Sequence, residues 1–421
     1  MSDARLRRWQ RATLATLVVG YAGYYFCRSN FSVALPLIAG ELGERGFSPT
    51  QARRALGEVA SLGVLAYALG KFASGLVAER FGGRRAFLAG MGLSVLCTLA
   101  FAASGTLPLF TTAWLANRLV QSLGWVGMVK IASRWFHASA YGTAMGVISL
   151  SYLFGDALAR SAMGALLAWG ASWRVLFVVA ASLLLAILAA SAWLLRESPG
   201  ERGALEPEVA QGALFSTDDR DVAGPTDLGA LLRTLVADRG FRLVCGISFG
   251  LTLLRETFNT WTPSYFVDAV GLVPSQAATA SAVFPLLGGA SVLLTGRLSD
   301  RPGARARLLV VGVALASAAL GLLAALQTTA PWLAITLVGV TGFFLIGPYS
   351  LLAGAISLDF GGKRASAAAA GVIDGVGYLG GVLAGGGVAG LAGSFGWSGA
   401  FAALAGVAVC TGVAAWLFSR R

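Results

Sequence analysis

Two arginines stand inside apolar stretches of this chain: Arg28 in "GYAGYYFCRSNFSVALP" and Arg255 in "LTLLRETFNTWTPSY". An arginine at the centre of a bilayer costs ~2.5–3.5 kcal/mol on insertion scales, so each needs a compensating role. The planar guanidinium can donate bidentate hydrogen bonds to phosphate or carboxylate. The chemistry to expect of the pair is therefore capture of an anion that arrives from solution. Lys71, in "AYALGKFASG", adds a third embedded positive charge.

The competing reading is that buried arginines clip helices together by pairing with buried acids. Four embedded acids are available: Glu58, Asp156, Glu256 and Asp374. Asp156 and Arg160 are spaced to pair on one helix. Glu256 follows Arg255 directly, and successive helical residues point about 100° apart, which makes it a poor partner. Asp156, Glu256 and Asp374 are also the groups that a coupled proton would use. Arg118 and Lys130 read as interhelical clips, and Trp125 and Trp261 as packing anchors.

The elements that position these residues follow from composition. The chain has 421 residues, 56% of them hydrophobic and 12% charged, against about 25% charged in soluble domains. It reads as an integral membrane protein. Runs of about 20 apolar residues suffice to cross a bilayer. Twelve are expected near 13–38, 55–79, 86–104, 108–133, 142–169, 173–195, 241–269, 276–299, 306–327, 330–357, 366–393 and 397–418. The polar stretch from Arg196 to Arg239 reads as a cytoplasmic linker. It ends in an amphipathic helix, "TDLGALLRTLVADRG", capped by Thr226 or Asp227.

The two sides of this linker repeat each other at a nearly constant offset. "GVISLSYLFGDALA" from Gly146 pairs with "GVIDGVGYLGGVLA" from Gly371, and "GLVAERFGGRR" from Gly75 pairs with "GRLSDRPGARAR" from Gly296. "SWR" at Ser172 pairs with "GWS" at Gly396, and Arg28 pairs with Arg255. The expected fold is thus an all-α membrane protein with twelve transmembrane helices in two pseudo-symmetric six-helix halves. Residues 1–195 form the first half, 196–240 the linker and 241–421 the second half. Such halves enclose a site at mid-membrane and rock around it, which would set the two arginines facing each other across a central cavity. A symmetric pair is better explained by one shared anion than by two unrelated clips.

Charge sets the orientation and excludes other classes. With both termini cytoplasmic, most of the 32 Lys and Arg fall on or beside cytoplasmic segments, and Arg45, Arg53, Arg54 and Arg174 fall on the opposite side. The net charge of +12 is therefore a topology signal and not a nucleic-acid footprint. The first apolar run is too long for a cleavable signal peptide, and an arginine interrupts it. Cys27, Cys97, Cys245 and Cys410 all lie in apolar runs and show no metal-ligand spacing. The single histidine, His137, falls in a short polar connection. No nucleophile–base pair and no G-x-x-x-x-G-K-[ST] loop are present, so neither an enzyme nor a nucleotide-driven pump is expected. No metal and no cofactor are expected.

These residues resemble the major facilitator superfamily. "GLVAERFGGRR" is similar to its loop motif after the second span, with Glu79 in place of the usual aspartate; the second copy keeps Asp300. The resemblance implies a gating motif of Glu79, Arg80, Arg84, Asp300 and Arg301. "LANRLVQSLGW", with Arg118 and Gln121, is similar to the fourth-span motif. The likeness narrows to the organophosphate:phosphate antiporters through "GYAGYYFCRSNF", "AYALGKFASG", "QSLGW", "LLRETFNTWTPSY", "GFFLIGP", "GYLGG" and "FGWSGAF". It implies a phosphate grip by Arg28 and Arg255 with Lys71, cavity tyrosines at Tyr21, Tyr25, Tyr67 and Tyr378, and a monomer.

Departures from the family pattern fall in the part of the pocket that reads the organic group. Tyr152 replaces a fifth-span histidine of glycerol-3-phosphate transporters, and Ser149 the asparagine near it. Thr252, Thr260, Pro285 and Ile346 replace other polar or aromatic positions, while Asp374 brings in a new acid. The expected function is exchange of an organophosphate, of sugar or glycerol phosphate type, for inorganic phosphate in a bacterial inner membrane. Its partners are phosphate, a phosphorylated metabolite and the lipid bilayer, with no nucleic acid. The alternatives are proton-coupled transport of another organic anion and a sensor that binds an organophosphate without moving it.

Overall fold

The computed structural model describes residues 3–136, 138–202, 233, 235–299, 304–326, 330–352 and 356–420. His137 and the cap at Thr226 or Asp227 lie outside them, and of the proposed linker helix only residues 233 and 235–240 are described. The elements are α1 (Asp3–Glu44), α2 (Pro49–Phe81), α3 (Gly83–Ala103), α4 (Leu107–Trp135), α5 (Ala138–Ala168) and α6 (Trp173–Leu194). After a short 3-10 turn at Pro199–Arg202 come α7 (Arg239–Asp268), α8 (Pro274–Ser281), α9 (Val283–Ser299) and α10 (Ala304–Leu326). The chain ends with α11 (Pro331–Leu351), α12 (Ser357–Leu383) and α13 (Gly386–Ser419).

The apolar runs fall on these helices, because a backbone crossing hydrocarbon must satisfy its own hydrogen bonds. Among the described residues, seven helical stretches are long and apolar enough to cross a membrane by length and composition. The helices carrying Arg28 and Arg255, α1 and α7, are not among the seven. Tyrosines, an asparagine and the charged residues dilute their apolar character. Each also holds one proline, Pro36 in α1 and Pro263 in α7, at matching distances beyond its arginine. The eighth run is split between α8 and α9. The boundary between the last two runs falls inside α13, where Gly396 takes φ 68° and breaks the helix. That left-handed conformation favours glycine because it has no Cβ.

Chain contacts divide the protein into two compact units. The first comprises Met1–Ala34 with Leu62–Ala213, the second Leu35–Ser61 with Leu214–Arg421. In the first, α3 packs along α4 and α6; in the second, α10 packs along α11 and α13. These are matching pairs under the repeat. The core of the first unit is an aromatic stack in which Phe31 lies on Trp114 at 4.3 Å and Phe101 on Phe177 at 4.6 Å. In the second, Phe258 stacks on Phe284 at 5.1 Å, and Tyr265 meets Phe401 edge-on at 4.8 Å.

The segment Leu35–Ser61 joins the second unit through specific bonds. Arg53 Nη2 lies 2.7 Å from Asp268 Oδ2, and its guanidinium packs 5.5 Å from the Trp397 ring. The backbone N–H of Gly386 donates to Ser61 Oγ at 2.8 Å. Glu58, expected to be embedded, is exposed and pairs with Arg54 at 3.4 Å. Apolar neighbours in sequence hid the fact that no other side chain covers most of it.

Candidate anion-binding site

The first unit gathers its cations around one aromatic ring. Tyr21, Tyr25 and Arg28 share a face of α1 at i, i+4 and i+7 spacing, and Tyr67 and Lys71 share a face of α2 at i, i+4. The Arg28 guanidinium lies 4.6 Å from the Tyr67 ring centre and 5.2 Å from that of Tyr25. Lys71 Nζ lies 5.8 Å from the Tyr67 ring. A third cation, Arg118 of α4, lies 4.7 Å from the same ring and 5.9 Å from Trp114. Facing cations are attracted to an aromatic quadrupole, so Tyr67 holds mutually repelling charges close together.

Aromatic contacts extend the wall. Tyr21 meets Tyr25 at 5.8 Å and Trp125 at 5.6 Å, and Tyr25 meets Tyr152 of α5 at 5.9 Å. The third tyrosine flanking Arg28, Tyr24, goes elsewhere. Its hydroxyl donates to the Phe87 carbonyl at 2.6 Å and its ring packs against α3. Arg28 and Lys71 are half-buried, whereas Tyr21 and Tyr67 are buried. Arg118, read from sequence as a clip, bridges α2 and α4 through Tyr67 and also belongs to this cationic cluster. Its i, i+3, i+7 spacing with Gln121 and Trp125 is the signal that could have placed it there.

Asp156 is committed within the same unit. Its Oδ1 accepts from Arg160 Nε at 2.8 Å and from the Ser29 hydroxyl. Arg160 Nη1 also reaches Ser32 Oγ at 3.5 Å, and both charged side chains are almost fully buried. Lys130 donates to the Ala78 carbonyl at 2.8 Å, joining α4 to α2.

In the second unit the expectation that Glu256 is a poor partner for Arg255 is overturned. Arg255 Nη2 donates to Glu256 Oε1 at 2.6 Å, with side chains 12% and 5% exposed. The 100° divergence of adjacent positions is bridged because both side chains are long and bend toward each other. The guanidinium also lies over Tyr349 of α11, 4.4 Å from the ring centre. Tyr378 is buried on α12 and Asp374 half-buried one turn before it. Trp261 donates to the Ala384 carbonyl at 2.9 Å, a packing role.

Among the gating residues, Arg80 is exposed, and Arg84 donates to the carbonyls of Leu195 and Ala192, each at 2.8 Å. The side chain of Glu79, and Asp300 and Arg301 entirely, lie outside the described residues. The sequence reading missed Glu197, which was assigned to the linker. Its two oxygens accept from the backbone N–H groups of Gly83 and Arg84 at 2.8 and 2.6 Å. A carboxylate there also complements the positive end of the α3 dipole.

Comparison with known proteins fits this architecture. Residues 17–385 match the Major Facilitator Superfamily, and the chain belongs to that superfamily. It is an integral membrane protein of transporter type, not an enzyme. It is 27% identical over 384 residues to the membrane sensor protein UhpC of Salmonella typhimurium, covering 90% of this chain and 84% of that protein. It is 26% identical over 389 residues to a probable hexose phosphate transport protein of Chlamydia pneumoniae, covering 89% and 84%. The glycerol-3-phosphate transporter of Bacillus subtilis is 24% identical over 391 residues, covering 90% and 85%. Among solved structures, a bacterial homologue of the human lysosomal transporter Spinster aligns with a TM-score of 0.76 at 14% identity, covering 98% of this chain and 97% of that one. A D-xylose–proton symporter aligns at 0.75 and 14% identity, covering 97% and 96%. Both likenesses concern the fold.

Proposed function

We propose that this protein exchanges a phosphorylated metabolite, of sugar or glycerol phosphate type, for inorganic phosphate by alternating access in a bacterial inner membrane with both termini cytoplasmic. The observation that carries this reading is the cluster at Tyr67, where Arg28 and Lys71 from two helices approach one aromatic ring. Phosphate carries between one and two negative charges near neutral pH, which two half-buried cations match. Arg255 is the corresponding guanidinium of the second unit. The phosphate transport named for the relatives supports the same ligand class. Tyr152, Thr252, Ile346 and Asp374 are the positions at which selectivity for the organic group would differ from theirs. Bound anion relieves repulsion among the cations and lets the carrier reorient, which couples outward to inward movement.

The test is uptake of labelled phosphate by liposomes that contain the purified protein and are loaded with unlabelled phosphate. Arg28→Lys and Arg255→Lys keep charge but lose the fork, and each is expected to reduce exchange at least tenfold, the cost of one good charge-assisted bond. Uptake by both variants at the wild-type rate would sink the assignment. A sensor is the second reading, favoured by the name of the UhpC relative; phosphate binding without any flux would establish it. Uptake that needs a pH gradient and no internal phosphate would mark a proton-coupled carrier instead.

A further inference from the structure

Aligning the first span of each repeat on its arginine sets "RSNFSVALP" against "RETFNTWTP". The register also pairs Phe31 with Phe258 and Pro36 with Pro263, so it is well determined. Glu256 then stands opposite Ser29. The fifth and eleventh spans, paired from Gly146 and Gly371, set Asp156 opposite Gly381 and Arg160 opposite Gly385.

The two repeats therefore handle a buried carboxylate in opposite ways. In the first unit the acid is on α5, where Arg160 and the hydroxyl of Ser29 hold it. In the second, glycines replace both members of that pair, and the acid stands on α7 itself, 2.6 Å from the guanidinium beside it. A helix clip joins two helices. Arg255 and Glu256 are adjacent residues of one helix, so the bond between them does not itself join two helices; the guanidinium reaches α11 separately, through Tyr349. What the bond does is compensate a guanidinium that the burial of both side chains, at 12% and 5% exposed, makes costly to leave without an opposite charge.

We infer that Glu256 is an internal counter-ion: it occupies the Arg255 guanidinium when no anion is bound, and phosphate must compete with it for that guanidinium. The inference rests on the phosphate-binding reading above. One consequence follows from competition: removing the carboxylate tightens phosphate binding, whereas removing a merely structural bond would loosen it.

The experiment measures binding of inorganic phosphate to the purified full-length protein in detergent, by titration calorimetry. It compares wild type with Glu256→Gln, Glu256→Ser (the residue type of the first repeat) and Arg255→Lys. Both Glu256 variants are expected to bind on the order of tenfold tighter, the equivalent of one charge-assisted hydrogen bond, and Arg255→Lys weaker. Equal or weaker binding by both Glu256 variants overturns the counter-ion. Absence of wild-type exchange overturns the antiporter alone, since affinity is read without flux. Absence of phosphate binding by all four proteins overturns both.

Discussion

At the scale of single residues, the site depends on side chains whose value lies in what they hold in place. Tyr67 presents one ring to three cations, and a cation over an aromatic face gains ~0.5–2 kcal/mol according to its desolvation. Tyr67→Phe keeps the ring and is expected to keep phosphate affinity within about threefold, while Tyr67→Leu is expected to weaken it about tenfold or more; calorimetric titration separates the two. The Asp156–Arg160 pair belongs to stability. Removing one member of a buried pair costs ~3–5 kcal/mol, so Asp156→Asn should lower the midpoint of thermal unfolding sharply. Replacing both partners with apolar residues should recover much of that loss. The grouping of Arg28, Lys71, Tyr21, Tyr25, Tyr67 and Tyr152 was legible in the sequence, because charge and aromatic spacing survive in one dimension. The bond between Arg255 and Glu256 was not, since ideal side-chain directions omit the several torsions through which a long side chain turns back. Glu58 misled for a related reason: apolar neighbours in sequence do not say which positions of a helix are left uncovered.

At the scale of elements, α7 and α12 are held together by small residues. A Cβ at Gly377 would stand 2.6 Å from Ser248 Oγ and 2.7 Å from Thr252 Oγ1, and one at Gly380 would strike the Phe249 carbonyl. Since Gly380 meets backbone, Gly380→Ala must push the helices apart. Overpacking of this kind costs ~1–3 kcal/mol, readable as a lowered unfolding midpoint together with weaker phosphate binding, because α7 carries Arg255. Thr252, one of the departures from the family pattern, thus lines a helix contact as well as preceding the arginine by one turn. The helical runs themselves were legible from hydropathy, and so was the boundary at Gly396. The split between α8 and α9 was not, because both pieces lie within one unbroken apolar run.

At the scale of the whole molecule, the repeat organises the chain. Arginine and proline recur in α1 and α7, and α3 and α10 pack their matching neighbours within their own units. Ligand binding to the folded state stabilises it by about 2.7 kcal/mol at one hundred times the dissociation constant. Inorganic phosphate should therefore raise the unfolding midpoint of the wild type in a concentration-dependent way. Arg28→Lys should abolish that shift while leaving the unliganded midpoint within a few degrees, since Arg28 sits half-buried beside two rings rather than in the core. Chloride at equal ionic strength serves as the control. The superfamily was legible because its motifs are local in sequence. The grouping of Leu35–Ser61 with the second unit was not, since it depends on bonds such as Arg53 to Asp268 between residues far apart in the chain.

The polarity of α1 and α7 also bears on how the protein is made. A translocon sorts each segment by its free energy of transfer, and a central arginine adds ~2.5–3.5 kcal/mol against entry. Neither helix is among the stretches apolar enough to cross by length and composition alone, so each is expected to insert better with a later neighbour that shields its charge. For α7, Glu256 beside Arg255 lightens that load from within the same segment. A glycosylation-mapping assay should find α7 alone inserting poorly, α7 followed by its natural successors inserting well, and Glu256→Gln lowering the yield of the isolated segment. The residue proposed to compete with phosphate in the finished protein would then already have served during its birth at the ribosome.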